Sequence, residues 1–551
     1  MDWQASSTAG NAGRAWWVVV PARASIHCSI VTFVPQPWWR SAVFYEVYVR
    51  SFADSNDDGI GDLAGVTSRL DYIRDLGVDA IWLTPFYPSP QKDHGYDVAD
   101  YFRVNPEYGT LRDFDRLVVR AHELRLKVLV DIVPNHTSDQ HRWFQAAIKS
   151  PRSAMRRRYH FADPNPDGSP PNNWTSTFGG PAWSPEPNGK QWYLHLFAPE
   201  QPDLNWYHPA VQKEFERILK FWLDRGADGF RIDVASALFK RRDLADRPLV
   251  ADRITGGPRL DWAFGIIDQP QLKDVYRRWR QIADRYEPPR VLVGEIFGAR
   301  RQSMYVLPDQ LNMAIAIIHQ RWDAVLWRKS IDESRRALRD PGIEPTWSLT
   351  NHDATRPVTR LGGGELGRTR VRAALLLLLG LPGQVILYQG EELGLEEANV
   401  PESARQDPIF LRSQGRERGR DGCRVPIPWH RGRPNAGFSK SAPWLPVPPG
   451  WDRLAVDAQA GDGGSMLGQF RRTLAARRRI ARRLPHRLEW RPAPRGVLAY
   501  SRRPLTVVCN FGDRPARLPV NGRLLLASHP LVGLRSGALR LPPNSAAWVL
   551  E

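Results

Sequence analysis

The chain has 551 residues, of which 42% are hydrophobic and 25% are charged, a composition typical of a large globular protein. The net charge is +18, from 77 basic and 59 acidic residues, but the arginines are spread along the chain without a nucleic-acid-binding motif, so we expect no nucleic-acid partner. No apolar run approaches the roughly 18 residues that a transmembrane helix needs, so we expect no membrane partner.

The first 40 residues are predicted to be a poorly structured extension. Their apolar run WWVVVP at 16–21 is short and is soon interrupted by Arg23, which argues against a secretory signal. Cys28, Cys423 and Cys509 are an odd number of cysteines and lack metal-ligand spacing, which is typical of free thiols in a reducing compartment. We therefore expect a cytoplasmic protein, and the sequence leaves its oligomeric state open.

Strand-like and helix-like segments alternate from about residue 42 onward. Amphipathic helices are predicted between the strands, for example at 112–125, 209–225, 269–285 and 368–381. Strands are predicted at 43–49, 78–83, 127–133, 228–233, 291–296, 311–317, 346–350 and 384–388. Eight strands separated by helices indicate an α/β fold of the (β/α)8 TIM-barrel type.

Two further units are predicted around this barrel. Residues 136–205 interrupt the alternation after the third strand and are rich in Pro, Asn, Gly and Trp, which indicates a small inserted domain beside the barrel mouth. Residues 489–551 contain short strand-like runs separated by turn residues, which indicates a C-terminal antiparallel β-sandwich. The barrel itself is then expected to span 41–135 and 206–488.

Acidic residues and histidines stand at the ends of several predicted strands. Active sites of TIM barrels lie at the carboxyl ends of the strands, so these side chains are expected to converge on one rim. Any one of them alone is more simply explained by a structural role, such as an internal salt bridge between Arg231 and Asp233. The set consists of Asp131, Asn135, His136, Arg231, Asp233, Glu295, Asn351, His352 and Asp353.

Asp233 and Glu295 end neighbouring strands, and this placement suits glycoside hydrolysis. A retaining glycosidase holds two carboxyl groups about 5–5.5 Å apart, one as nucleophile and one as acid. Neighbouring strands lie about 4.8 Å apart, so the spacing is plausible. Arg231 is expected to keep Asp233 ionised, and the apolar strand before Glu295 is expected to keep that residue protonated.

Four short motifs contain these acidic residues and histidines: DIVPNH (131–136), GFRIDVA (229–235), VGEI (293–296) and TNHDATR (350–356). They resemble the signatures of glycoside hydrolase family 13, the α-amylase superfamily. The resemblance covers roughly residues 41–551. A further motif, QPDLN at 201–205, resembles the oligo-1,6-glucosidase subgroup of bacterial α-glucosidases.

The resemblance implies a role for each site residue. Asp233 would be the nucleophile, Glu295 the general acid/base, and Asp353 would hold sugar hydroxyls in the transition state. Asp93 and Arg424 would pair and close the pocket behind the non-reducing end, so that terminal glucose is released. The remaining substrate-binding residues would be Tyr96, His136, Phe178, Arg231 and His352.

The stretch DSNDDGIGD at 54–62 resembles the first nine positions of a Ca²⁺-binding loop. The twelfth position is Gly65 rather than Glu, so the loop is not a complete EF-hand, and an acidic solvated turn is the alternative. The family resemblance implies a structural Ca²⁺ here and no organic cofactor. Its ligands would be Asp54, Asn56, Asp58, the Ile60 carbonyl and Asp62.

The resemblance leaves the reaction and the linkage open. The main hypothesis is a retaining exo-acting α-glucosidase that acts on short α-1,4- or α-1,6-linked oligosaccharides. Alternatives are a transglucosylase or isomerase of the same family, such as a trehalose synthase or sucrose isomerase, and, more remotely, an inactive ancillary protein. In this family a valine after the nucleophile, here Val234, goes with α-1,6 activity.

Overall fold

The computed structural model describes residues 37–187, 189–251, 258–261, 263–340 and 342–551. Predictions for residues 1–36, including Cys28, lie outside this part of the chain. The predicted extension included residues 37–40, and three of these belong to a 3₁₀ helix at Trp38–Ser41. The ring of Trp38 lies 5.9 Å from that of Phe44, so this short segment packs onto the first strand.

Eight parallel strands form a closed barrel, as predicted. Each strand pairs with the next in sequence order, and β8 returns to pair with β1. The predicted TIM-barrel class is therefore confirmed. The strands are β1 (Val43–Val47), β2 (Ala80–Leu83), β3 (Lys127–Ile132), β4 (Gly229–Ile232), β5 (Val291–Gly294), β6 (Met313–Ile317), β7 (Thr346–Ser348) and β8 (Gln384–Tyr388).

Amphipathic helices pack around the barrel. The helix Leu111–Glu123 is an example: Phe114, Leu117, Val118 and Ala121 are buried at helical spacing, and a Thr110–Asp113 capping box begins it. The α-helices span Leu63–Ser68, Leu70–Leu76, Leu111–Glu123, Arg142–Ile148, Pro209–Asp224, Leu272–Ala283, Ala299–Tyr305, Ala324–Ala337, Pro357–Arg360, Gly364–Gly380, Pro408–Arg412, Asp421–Arg424, Val456–Ala460 and Met466–Ile480. Within the described ranges, none of the helices has the length and apolar composition that crossing a bilayer requires.

The segment inserted after β3 carries a small antiparallel sheet of Phe161–Ala162, Trp192–Leu194 and Trp183–Pro185. Its core joins that of the loop after β4, because Trp174 clusters with Ala237, Ile266 and Ile267. The insert therefore forms a wall beside the carboxyl ends of the strands. The loop after β4 also contains a two-stranded ribbon of Leu249–Ala251 and Pro258–Leu260.

Two antiparallel sheets form the C-terminal part of the chain. They enclose a cluster of apolar side chains between them. The larger sheet packs against the leucine-rich helix Gly364–Gly380, where Tyr500 and Trp548 donate hydrogen bonds to the carbonyls of Leu377 and Leu376. One sheet consists of Glu489–Trp490, Val497–Arg502, Leu505–Asn510, Arg523–Ala527 and Ser545–Leu550, and the other of Ala516–Pro519, Gly533–Arg535 and Ala538–Leu541.

Candidate active site

A cavity of about 540 Å³ opens at the carboxyl ends of the barrel strands, between the barrel and the insert. The three predicted catalytic carboxylates, Asp233, Glu295 and Asp353, all line it. Most of the predicted sugar-binding residues line it as well: Asp93, Tyr96, His136, Phe178 and His352. Arg231 and Arg424 lie behind them and bind the carboxylates from below.

Strand register places Asp233 and Glu295 side by side. Arg231 and Ile232 on β4 pair with Val293 and Gly294 on β5, so the next residue of each strand is a carboxylate facing its neighbour. Neighbouring strands are about 4.8 Å apart, which is close to the separation that a retaining glycosidase needs. Both carboxylates are 9% exposed and are therefore accessible only from the cavity.

One guanidinium binds both of these carboxylates. Arg231 lies 2.8 Å from Oδ1 of Asp233 through Nη1 and 2.8 Å from Oε2 of Glu295 through Nη2. Its Nη1 also donates to both oxygens of Asp131 at 3.0 Å. The apolar strand before Glu295 indicated an apolar setting for this residue, and the contact with Arg231 corrects that expectation.

The ionisation expected for Asp233 is also corrected. Burial raises the pKa of Asp233, and the attraction of Arg231 opposes this rise without cancelling it. Burial likewise raises the pKa of Asp131 to about 7. Because a single arginine serves three buried carboxyl groups, the cluster favours keeping a proton among them rather than full ionisation.

Val234 connects the two strand ends. Its backbone N–H donates to Oε2 of Glu295 at 3.1 Å, and its φ angle is +45°, a region that β-branched residues rarely adopt. Strained backbone of this kind is concentrated at functional sites because the surrounding structure must hold it. The side chain of Val234 lines the cavity next to both carboxylates.

The ion pair predicted between Asp93 and Arg424 is wrong. Asp93 binds Arg420 at 2.8 Å, whereas Arg424 binds Asp353 at 2.7 Å. Arg420 also contacts Asp353 at 3.0 Å and Asp407 at 2.6 Å, so this one arginine links Asp93 and Asp407 to Asp353. Arg420 precedes the short helix Asp421–Arg424 and Arg424 ends it, and sequence alone did not distinguish the two arginines.

Asp353 is held as a carboxylate by these contacts. Burial alone would raise its pKa, but the neighbouring positive groups, including its two arginine partners, hold the pKa of Asp353 well below its usual range. Its side chain is 32% exposed, the most open of the three carboxylates. Asp353 therefore presents a fixed negative charge to whatever occupies the cavity.

The aromatic and histidine residues form a layered wall. Tyr96 stacks on His352 with ring centroids 5.3 Å apart, and its hydroxyl donates to Asp131 at 3.0 Å. Phe178 lies under the guanidinium of Arg420, 4.8 Å from it. Burial lowers the pKa of His136 to about 4, so this ring is neutral at pH 7 and offers a hydrogen bond rather than a charge.

Several residues that shape the site were not assigned a role from the sequence. Glu46 at the end of β1 is fully buried and binds Nδ1 of His352, which fixes the orientation of that ring. Gln201 donates to Asp93 at 3.1 Å and contacts His136 at the same distance. The signal for Glu46 was available, because a carboxylate on an otherwise apolar barrel strand is unusual.

The acidic loop at 54–62 folds back on itself. Asp54 accepts backbone N–H groups from Asn56, Asp57 and Gly59, and the φ of +92° at Gly59 makes the turn. Asp62 caps the following helix through the N–H of Gly65. The donor set consists of hard oxygen atoms, which suits Ca²⁺. In the described part of the chain, no three or more His, Cys, Asp or Glu side chains converge on a metal position.

Comparison with known proteins agrees with this architecture. A "Probable alpha-glucosidase" of Rhizobium meliloti (strain 1021) is 41% identical over 457 residues, which is 80% of this chain and 82% of that protein. An "Oligo-1,6-glucosidase" of Parageobacillus thermoglucosidasius is 34% identical over 481 residues, covering 80% and 84% of the two chains. The crystal structure of an alpha-glucosyl transfer enzyme, XgtA, matches with a TM-score of 0.85 and 38% identity over 93% of this chain and 100% of that one.

Family models match nearly all of the described chain. Residues 471–548 match a family described only as a domain of unknown function, DUF3459. Residues 46–483 match the model of the alpha-amylase catalytic domain, which includes every barrel strand from β2 to β8 and the carboxylates Asp233, Glu295 and Asp353. The chain therefore belongs to the alpha-amylase family of glycoside hydrolases.

Proposed function

We propose that the protein is a retaining α-glucosidase that removes terminal α-linked glucose from short oligosaccharides. The observation that carries this proposal is the pairing of Asp233 with Glu295 on neighbouring strands, with Asp353 in the same cavity. Two carboxyl groups at this spacing support a double displacement. The α-glucosidase and oligo-1,6-glucosidase relatives support the same substrate class.

The reaction divides between the two carboxyl groups. Glu295 donates a proton to the glycosidic oxygen while an oxygen of Asp233 attacks the anomeric carbon, so the leaving alcohol departs neutral and a glucosyl ester forms. Water then gives its proton to Glu295 and attacks the same carbon, which releases glucose and regenerates both groups. The pair thus needs one proton in total, which must lie on Glu295 when Asp233 attacks as a carboxylate.

The shape of the cavity supports attack at chain ends. Arg420 joins Asp93, Asp353 and Asp407 by ion pairs, and this network stands across one end of the cavity. A longer glucan has no path through that end, so only a terminal glucose unit can reach Asp233. Asp353 is then positioned to accept hydrogen bonds from hydroxyls of that unit, and these bonds strengthen in the transition state.

A transglucosylase is the second candidate, and the rim of the cavity favours considering it. Phe297, two residues after Glu295, lines the cavity and is 54% exposed, so it offers a ring on which an acceptor sugar can stack. Val234 and Ile267 add further apolar surface on the rim. An acceptor held here competes with water for the glucosyl ester. The structural similarity to an alpha-glucosyl transfer enzyme supports the same alternative.

The experiment is a panel of maltose, isomaltose, sucrose and trehalose with products identified by proton NMR within the first minutes. A retaining α-glucosidase releases α-glucose before mutarotation, from the non-reducing end, with glucose as the main product. The anomer is read from sucrose, whose other product is fructose, because the reducing-end glucose of maltose and isomaltose is already an anomeric mixture. Early release of β-glucose from sucrose would contradict the mechanism. Oligosaccharides or sucrose isomers as the main products would favour the transglucosylase.

A structural ion and a cytoplasmic location are further parts of this proposal. We propose a structural Ca²⁺ in the loop 54–62, supported by its oxygen-rich donor set and turn geometry. The ion would be held by Asp54, Asn56, Asp58, Asp62 and the Ile60 carbonyl, and it would stiffen the loop after β1.

A cytoplasmic location is supported by cysteines that lack paired or metal-ligand spacing.

A further inference from the structure

A cationic side chain lines the active-site cavity without a counter-charge. Arg247, in the loop after β4, is 3% exposed and contributes to the cavity lining. Its Nη1 donates to Oγ1 of Thr175 at 3.2 Å, whereas Nε and Nη2 have no hydrogen-bond partner among the described residues. Asp261 attracts it only from a distance beyond that of an ion pair. An unpaired buried charge is costly, so its presence needs a reason.

Arg420, the other positively charged residue of the cavity lining, is paired with carboxylates, whereas Arg247 is not paired with one in the part of the chain that the structure describes. Arg420 is bound by three carboxylates, so its charge is used within the protein. Arg247 leaves one complete edge of its guanidinium unused, and this Nε–Nη2 edge is the one that matches the two oxygens of a carboxylate or phosphate. Burial lowers the pKa of Arg247 to about 10, so the group is still charged at pH 7.

Arg247 is held firmly in its place. Its backbone N–H donates to Asn173 at 2.7 Å, and two residues earlier the carbonyl of Ala245 accepts from Trp174 at 3.0 Å. Hydrogen bonds therefore attach this part of the loop to Asn173 and Trp174 of the insert. The guanidinium lies 5.6 Å from the Trp174 ring, so the side chain packs against the same wall.

That wall lies on the leaving-group side of the cavity. Trp174 belongs to an apolar cluster with Ile266 and Ile267, and Val234 packs against this cluster. Val234 in turn binds Glu295, the group that must protonate the leaving alcohol. The network that closes the glucose end is built from Arg420 and its partners and contains none of these residues.

We propose that Arg247 recognises an oxyanion, a carboxylate or a phosphate, on the aglycone of the α-glucoside. The anion would bind the free edge of the guanidinium after a small rearrangement of this buried side chain, while the apolar wall contacts the carbon skeleton beside it. This inference rests on the proposed α-glucosidase activity and names a preferred class of its substrates. A pair of charge-assisted hydrogen bonds of this kind is expected to raise the affinity for the substrate by roughly ten- to hundredfold.

The test compares three aryl α-glucosides that differ only in the para substituent: carboxylate, phosphonate and the neutral carboxamide. The readout is the ratio of kcat/KM for each anion to kcat/KM for the carboxamide, so a general loss of activity cancels. For the unaltered protein we expect a ratio of about ten or more for at least one anion. The larger of the two ratios distinguishes a carboxylate from a phosphate as the preferred group.

Two variants assign the effect to Arg247. In Arg247→Gln the ratio should fall to about one, whereas Arg247→Lys, which keeps the charge and loses the planar edge, should give an intermediate ratio. Arg241→Gln is the matched control, because Arg241 lies in the same loop and is already paired with Asp243. Its ratio should equal that of the unaltered protein.

The outcomes separate this inference from the proposed function. A ratio near one in the unaltered protein, with the carboxamide hydrolysed well, would overturn the role of Arg247 and leave the α-glucosidase standing. A high ratio that persists in Arg247→Gln would overturn it as well. Failure to hydrolyse any of the three glucosides would instead count against the proposed activity. If Arg247→Gln does not fold, the unaltered protein and Arg247→Lys still decide.

Discussion

The backbone N–H of Val234 donates a hydrogen bond of 3.1 Å to Oε2 of Glu295, so the residue after the proposed nucleophile holds the proposed acid. This bond passes between two neighbouring strands and uses only the main chain of Val234. Side-chain substitutions at position 234 therefore change the wall of the cavity without removing the bond. That separation makes Val234 a suitable position at which to test linkage preference.

Val234→Ala is expected to shift the preference from isomaltose toward maltose. The smaller side chain leaves more room beside the leaving sugar. The main-chain hydrogen bond to Glu295 is retained in the variant, which should keep kcat within about tenfold of that of the unaltered protein. The measurement is the ratio of kcat/KM for isomaltose to that for maltose. Val119→Ala, on an exposed helix position, serves as control. An unchanged ratio would remove Val234 from the argument about specificity.

Asp233→Ala and Glu295→Gln are each expected to lower glucose release from maltose by roughly 10³-fold or more while the fold stays intact. In Glu295→Gln, kcat/KM for 4-nitrophenyl α-glucoside should fall much less than kcat/KM for maltose, because this quantity reports formation of the glucosyl ester and a good leaving group needs little protonation. Asp233→Ala should fail on both substrates. Circular dichroism checks the fold, and Asp309→Asn, a surface carboxylate, is the control. Equal losses on the two substrates in Glu295→Gln would contradict its role as acid.

Arg420→Gln is expected to lower kcat/KM for maltose by roughly a hundredfold and also to lower stability. The substitution leaves Asp93, Asp353 and Asp407 close together without their shared cation, and breaking a buried pair in this way costs about 3–5 kcal/mol. Initial rates and urea unfolding measure the two effects. Arg418→Gln, on the exposed turn two residues earlier, should leave both quantities unchanged. Normal activity in Arg420→Gln would show that the network does not shape the glucose site.

Acidification is expected to destabilise the protein through buried histidines of the insert. Burial lowers the pKa of His141 from 6.5 to about 3, so below pH 6.5 the unfolded chain takes up a proton that the folded chain does not. The stability that this group contributes is present above pH 6.5 and is lost as the pH falls toward 3. Between pH 6.5 and 4.5 the loss should be about 2.5 kcal/mol.

The variant His141→Asn isolates this contribution. His141 caps the helix Arg142–Ile148 by accepting the N–H of Trp143, and asparagine is an equally good cap that does not titrate. Urea unfolding at several pH values should therefore show a shallower loss of stability in the variant. Parallel pH profiles for the two proteins would mean that the pKa of His141 is the same in the folded and unfolded states, which would contradict the prediction.

Chelation of divalent ions is expected to lower Tm by several degrees, because an ion that binds only the folded loop stabilises it by mass action. Adding Ca²⁺ back should restore the original melting curve. Asp54→Asn keeps the Oδ1 atom that accepts the N–H groups of Asn56 and Asp57 but removes the charge and the oxygen that accepts from Gly59, so its Tm should respond less to chelator. A melting curve that does not respond to chelator would indicate that the loop binds no ion.

The sequence predicted the barrel well because its strands carry two local signals. Each is a short apolar run, as in KVLVDI of β3, and several end on a carboxylate that has no place in a core. Asp233 and Glu295 could be placed together for the same reason, since register in a parallel barrel follows from strand order. These features depend on neighbouring residues in the sequence.

The features that the sequence did not predict depend on contacts between distant residues. The charge of Arg231 is divided among carboxylates up to 100 positions away, so the ionisation of Asp233 could not follow from the arginine two residues before it. Arg420 and Arg424 are both near a short helix, and only the path of the chain decides which meets Asp93. The free edge of Arg247 likewise depends on how the loop after β4 joins the insert.

The helix Gly364–Gly380 has a practical consequence for anyone who reshapes this enzyme. Its last turns are leucines buried on every side, and a Cβ at Gly380 would lie 2.5 Å from the hydroxyl of Tyr500. Removing the C-terminal sheets would expose these leucine side chains to water and favour self-association. We therefore expect that the catalytic barrel cannot be expressed or exchanged without the C-terminal sheets. Truncations and domain exchanges must preserve the contact between this helix and the larger sheet, whereas the exposed turns of the insert can accept changes.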